Sequence, residues 1–305
     1  MWKFEDFNKW IDEGRPINEN VIELDITYKN IKKLGNLENL TNLKKIMCYN
    51  NKLTSLENLN SLLFLEELNC SNNQLTLLEG IENLINLKVL YCNYNQLKSL
   101  KELENLVNLE ILCCDDNLLT SLKGIENLTN LENLGCSDNQ LKSLEGIGNL
   151  INLKELYCYG NQLTSLKGIK NLVNLEYLNC GNNNFLTSLE GIENLVNLKG
   201  LYCNNNKLTS LEGIENLVNL ELLWFYNNIL ISLEGIENLV KLIKNKKQPT
   251  LKLYYNFADS DEYIELLKLF CILIKCKNNN KINKYIEKIE QILSELNGFH
   301  KYVLK

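Results

Sequence analysis

The chain has 305 residues, 45 % of them hydrophobic, and a formal charge of −6 at pH 7, which argues against a disordered chain and gives no concentrated basic stripe for a nucleic-acid backbone. Its first residues, Met1 to Phe7, are charged and lack the apolar core of a secretory signal. The longest mainly apolar run, Leu266 to Cys276, is about half a membrane span and is interrupted by Lys268 and Lys275, so no membrane insertion is expected.

In chain order, Phe4, Phe7, Trp10 and Ile11 fall at helical spacing, which predicts an amphipathic N-terminal cap over residues 1–20. From residue 21 to 257 the chain keeps a 22-residue period. Cysteines stand at Cys48, Cys70, Cys92, Cys114, Cys136, Cys158 and Cys180, then at Cys203. An asparagine column follows at Asn51, Asn73, Asn95, Asn117, Asn139, Asn161, Asn183, Asn206 and Asn228. A fixed period in the twenties predicts a solenoid in which each unit buries its apolar face against its neighbours.

Within the unit that begins at Leu87, the alternation around Leu90 and Cys92 predicts a short strand, with Val89, Tyr91 and Asn93 on its outer face. The remaining half, Leu-x-Gly-Ile-Glu-Asn-Leu, is short and punctuated, so 3₁₀ turns on the back are expected. Asn58 and Glu102 replace the glycine seen at Gly80, Gly124 and five later positions, which argues against a strict positive φ there. An extra residue after Asn183 is expected to form a local bulge. In the first unit Ile26 and Lys29 replace the cysteine and the asparagine, as suits a terminal repeat. The basic stretch 243–249 reads as a solvated loop. Residues 258–305 are expected to form a helical hairpin cap: Asp259 and Glu262 open a first helix, Ile264 to Cys276, and a second carries a stripe from Ile282 to Leu296 closed by Gly298.

These repeats resemble leucine-rich repeats of 22 residues, similar to those of bacterial internalins and of a eukaryotic phosphatase-regulatory subunit. The Asn- and Lys-rich style is also similar to repeat proteins of large amoeba-infecting viruses. The resemblance implies an α/β solenoid, a horseshoe or arc of about eleven units with a parallel sheet on its concave face. It also implies a regulatory subunit as one alternative function.

Independently of that resemblance, the asparagine column is expected to satisfy backbone groups that each turn leaves unpaired. The cysteine column predicts a line of buried thiols rather than a metal cage. Strands about 4.8 Å apart also fit disulfides poorly. With no secretory signal, the thiols are expected to be reduced, in the cytoplasm. Cys113 should point outward, without a neighbouring cation to activate it. Asp115, Asp116 and Asp138 are expected to form a solvated acidic patch. The single histidine, His300, lies outside the array, and there is no phosphate-cradling loop, so neither catalysis nor a cofactor or metal is expected.

The outer strand positions vary most between units and carry Tyr157, Tyr159, Tyr177, Tyr202, Trp224 and Tyr226. Such residues dominate interface hot spots, so the expected function is a monomeric, non-enzymatic scaffold that binds a protein or peptide there. Self-association is a further alternative. Glu193 and Glu215 fall on the convex back, where they read as remote solvated charges.

Overall fold

A strand sends successive side chains to opposite faces, so a leucine and a cysteine two positions apart must share one face. The computed structural model describes residues 1–229, the strand at 252–254, and positions 288 and 291. The stretch 243–249, the hairpin expected over 258–305 and His300 lie outside the described residues. The chain divides into two compact units, the first running from Met1 to Gln162 and the second beginning at Leu163.

The first unit carries seven three-residue strands: β1 (Glu23–Asp25), β2 (Lys45–Met47), β3 (Glu67–Asn69), β4 (Val89–Tyr91), β5 (Ile111–Cys113), β6 (Asn133–Gly135) and β7 (Glu155–Tyr157). They pair in chain order, parallel and in register, so that Leu90, Leu112, Leu134 and Leu156 stand in one column. The second unit carries β8 (Tyr177–Asn179), β9 (Gly200–Tyr202), β10 (Leu222–Trp224) and β11 (Lys252–Tyr254), again parallel and in order.

Inside each coil the apolar ladder is sealed. Leu87, Leu90, Cys92, Leu97, Leu100, Leu103 and Leu106 have no solvent exposure. Burial of a leucine stabilises by roughly 1.5–3 kcal/mol, so these columns supply most of the cohesion between coils. Strand residues on the other face, such as Val89 and Tyr91, are half-exposed.

The asparagine column ties each coil to its neighbour. Asn139 accepts the amide N–H of Leu119 through Oδ1 at 2.9 Å. Its Nδ2 donates to the carbonyls of Cys114 in the preceding coil (3.0 Å) and of Cys136 and Ser137 in its own. In the second unit Asn206 likewise donates to Cys180 and Cys203. The residue before each column asparagine is left-handed, from Asn50 (φ 54) through Tyr94, Asp116 and Asp138 to Asn227 (φ 53). A second, exposed column runs along the back, where Asn86, Asn108, Asn130 and Asn152 each donate to the carbonyl of residue 63, 85, 107 or 129 in the preceding coil.

At the N-terminus, helix α1 (Phe4–Asp12) buries Phe7 and Trp10, while Phe4 and Ile11 are half-buried. Trp2 pairs with the edge of β1, its N–H donating to Glu23 O and its carbonyl accepting from Asp25 N. The Trp10 indole donates to Pro16 O at 2.8 Å.

After Asn183 the extra residue forms a turn closed by the Leu186 N–H on Asn183 O, and Asn206 Oδ1 accepts from Asn183 N instead of from a later amide. Phe185 stands out of this turn, with the Lys207 ammonium 5.7 Å from its ring centre.

The back turns take two forms. Glu57–Leu59, Lys101–Leu103 and Lys167–Ile169 are 3₁₀ turns whose first N–H is accepted by Ser55, Ser99 or Ser165 Oγ at 3.1 Å. Other coils turn on a glycine of positive φ, between 97° and 112° at Gly80, Gly124, Gly146, Gly191 and Gly213, and at Gly146 that glycine leads into a further 3₁₀ turn, Ile147–Asn149. The expectation that this position tolerates a side chain therefore holds only where a 3₁₀ turn includes it, as at Asn58, Glu102 and Gly168. At Gly80, Gly124, Gly191 and Gly213 the N–H is accepted by the carboxylate two residues on, so Glu193 and Glu215 cap turns rather than standing as remote charges.

Gly124 follows a 3₁₀ coil, and a Cβ there would come within 2.6 Å of Leu100 C and 2.7 Å of Lys101 Cα. At Gly213 the nearest atom would be the Ile192 side chain at 3.5 Å. Both glycines have positive φ, so Gly213→Ala should cost ~1–2 kcal/mol from backbone strain. Gly124→Ala should cost about 1–3 kcal/mol more, because rigid backbone cannot move aside. Urea denaturation of the two variants checks this; equal losses would show that the clash is relaxed at no cost.

Candidate interaction surface

On the second unit, parallel register places the outer residues of β8, β9 and β10 in columns. Tyr177, Gly200 and Leu222 form one, and Asn179, Tyr202 and Trp224 the next. Gly200 lacks the Cβ that would lie 2.7 Å from Tyr177 Cδ1 and 3.5 Å from Tyr202 Cε2, so the Tyr177 ring lies over the Gly200 backbone beside Tyr202. Tyr202 and Trp224 have ring centres 5.3 Å apart at 56°, and Trp224 and Tyr226 6.0 Å apart at 47°. These are tilted pairs of the kind aromatic quadrupoles favour. Tyr202, Trp224 and Tyr226 form one run of contacting rings, Tyr177 lies over Gly200 beside it, and all four residues are half-buried.

The first unit holds Tyr157 and Tyr159. Tyr157 is the most open of the six aromatic positions singled out in the sequence, at 37 % exposure, and its hydroxyl donates to Glu155 Oε2 at 2.9 Å. Tyr159 is half-buried.

Also on the first unit, Asp115 folds over Gly135, where a Cβ would meet its Oδ2 at 2.7 Å, and its Oδ1 accepts the Ser137 N–H at 2.7 Å. Burial holds the Asp115 carboxyl above the ordinary aspartate value. Asp138 is raised too, by partial burial and then by the charges of Asp116 and Asp115. Among the described residues, no group of three or more histidine, cysteine or carboxylate side chains is arranged to hold a metal ion. Burial, followed by the charge of Asp115, pushes the Cys113 thiol up to about 11.

The nine described cysteines are free. In the sealed column, Cys48, Cys70, Cys92 and Cys114 each direct Sγ at a carbonyl of the next coil, 3.2–3.4 Å away. Burial pushes these thiols upward, to about 12 at Cys70 and Cys180.

This combination of a parallel strand, a sealed leucine ladder and an asparagine-tied turn in every coil has counterparts elsewhere. A family model described as leucine-rich repeats in two copies matches residues 64–106, 151–194 and 196–239. These are leucine-rich repeats. A leucine-rich repeat protein of Leptospira interrogans is 28 % identical, over 87 % of this chain and 79 % of that one, with a TM-score of 0.60. An internalin of Listeria monocytogenes, InlF, is 20 % identical over 78 % of this chain and 83 % of its own, with a TM-score of 0.59. The functional domain of InlJ from the same bacterium, described as including a cysteine ladder, is 24 % identical over 79 % of this chain and 64 % of its own, with a TM-score of 0.56. No curated protein matches the chain by sequence. No helix among the described residues is long and apolar enough to cross a membrane.

Sequence reasoning missed the left-handed column, the exposed asparagine column and the capping glutamates. The first two had a signal: Asn, Asp or Gly precedes nearly every column asparagine, and an asparagine recurs in each Asn-Leu-x-Asn segment.

Two outcomes follow from the first unit and the thiol column. Because the folded pKa of Asp138 is raised above its unfolded value, its favourable contribution is present at low pH and is lost as pH rises through the folded value. Asp138→Asn, which also suits a left-handed residue, should therefore raise stability at pH 7 by up to about 0.5 kcal/mol, with the gain shrinking as the pH falls toward 4. Denaturation midpoints at both pH values test the sign, and a gain that grows in acid would refute it. The second outcome is that alkylation of the native protein at pH 8, mapped by peptide mass, leaves the eight column cysteines unmodified until denaturant is added. Rapid native labelling of that column would contradict its burial.

Proposed function

We propose that the chain is a non-enzymatic scaffold, active as a monomer, that binds a protein or peptide on the outer strand face of its second unit. The observation that carries this reading is the run of contacting rings Tyr202, Trp224 and Tyr226, with Tyr177 beside it over the missing Cβ of Gly200. Tyrosine and tryptophan bury a large area with few rotatable bonds while keeping a polar end, so each gains much on desolvation. The rings already pack on one another, and such pre-ordering lowers the entropy cost of binding. Tyr157 and Tyr159 are proposed as a separate contact on the first unit. The cytoplasm is the proposed location, supported by free thiols at eight in-register positions. The helix α1 is proposed to close the N-terminal end of the repeats, supported by its sealed Phe7 and Trp10.

Peptides selected from a random library on the immobilised protein provide a test. The double variant Tyr202→Ala with Trp224→Ala should weaken the selected peptides by more than ~2 kcal/mol, about thirtyfold, with the repeats still folded. Glu212→Ala, on the exposed back, should leave binding unchanged. Peptides that bind the double variant as well as the native protein would place the site elsewhere. Concentration-dependent association abolished by the same two substitutions would make a second copy of the chain the occupant.

A further inference from the structure

On the back of the first unit, a cavity of about 170 Å³ is lined by Glu79, Glu82, Lys101, Glu102, Glu104 and Asn105. Four carboxylates face one ammonium there, and the one that departs from the repeat is Glu102, at the position where the neighbouring coils carry Gly80 and Gly124. The 3₁₀ turn Lys101–Leu103 lets a side chain stand at this place. Glu102 is 7 % exposed, and its Oε2 is sealed from water without a hydrogen-bond partner among the described residues. Glu82 Oε2 is already engaged by the Gly80 N–H at 2.8 Å.

A desolvated carboxylate oxygen with no donor is costly unless a cation or a hydrogen bond reaches it. Lys101 lines the same cavity but is exposed, and it leaves that oxygen without a bond. Direct metal ligation does not fit, since among the described residues no three acidic, histidine or cysteine side chains converge suitably. The volume is more than ten times the ~10–15 Å³ that one water needs, yet smaller than the ~300 Å³ at which pockets for whole metabolites begin. It suits the head of a side chain.

We propose that this cavity is a receptor for a guanidinium group, the head of an arginine side chain presented by a partner or the equivalent small guanidine. A guanidinium is more weakly hydrated than an ammonium and offers five N–H donors in a planar fork, so its charge can lie against the Glu102 carboxylate while its donors meet Glu79 and Glu104. The site is independent of the aromatic surface on the second unit.

The test is an amide-resolved NMR titration of the full chain with Nα-acetyl-arginine amide at low salt. Saturable shifts are expected at Gly80 to Glu82 and Lys101 to Asn105. Affinity should fall about tenfold or more in Glu102→Gln and by less in the exposed variant Glu79→Gln. The lysine analogue should bind more weakly. Methylguanidine separates the sources: binding equal to that of the arginine analogue marks a small guanidine, and weaker binding marks an arginine side chain, either outcome keeping the guanidinium assignment. No saturable shift in the native protein, equal affinity in Glu102→Gln, or saturation by calcium ions in place of the arginine analogue would overturn it.

Discussion

Everything in these repeats depends on the way an asparagine carboxamide closes each coil onto the one before it. A chain that leaves a strand and turns back exposes carbonyl and amide groups inside the solenoid, where each one left unpaired costs ~1–3 kcal/mol. Asn139 engages one amide and three carbonyls, two of those four groups belonging to the preceding coil. No smaller or apolar side chain carries donors and an acceptor on one carbon. The left-handed residue just before it, Asp138 at φ 50, turns the backbone so that this side chain points inward. The cysteine two residues before that can then be small, since its carbonyl is the group being claimed.

Because the coils repeat in register, each inner column is a stack of like residues, and stability accrues from coil to coil rather than around one centre. The back has more freedom. A 3₁₀ turn and a positive-φ glycine turn both span the same gap, and the form in one coil limits the next: the 3₁₀ turn Lys101–Leu103 with Leu100 before it brings backbone against Gly124 and permits no Cβ there. Variation on the back is therefore constrained pairwise, and Glu102 is a residue that one turn form admits and the other would reject.

Much of the frame was legible in the chain. The spacing Leu90, Cys92, Asn95 implies a strand, its inner face and its exit, because period two leaves no other way to share a face. What the spacing does not contain is the choice between back turns: Gly168 lies in a 3₁₀ turn while Gly124 adopts φ 110, though their local sequences are nearly the same. The two differ two residues on, where Glu126 accepts the Gly124 N–H and Gly168 is followed by Lys170, which cannot. The role of Glu193 was hidden for a similar reason, since a carboxylate two residues from a glycine reads as solvated until the turn aims the Gly191 N–H at it. The outer aromatic positions could be enumerated, but their mutual burial could not, because it depends on ring tilt and on what stands in the next strand.

That last dependence has a general form in an in-register parallel sheet. Each outer side chain has the equivalent residue of the next coil as its immediate neighbour, about 4.8 Å away, so its posture is set by that neighbour's size. Glycine lets a large or charged group lie down. Tyr177 rests over Gly200, and Asp115 rests over Gly135, and in each case an added Cβ would come within 2.7 Å of the group above it. The same device gives opposite surfaces, an aromatic patch on one unit and a half-buried carboxylate with a raised pKa on the other. The chemistry of such a face is thus written in pairs of residues one coil apart, and a substitution at a silent glycine should alter it as surely as one at the ring or the acid.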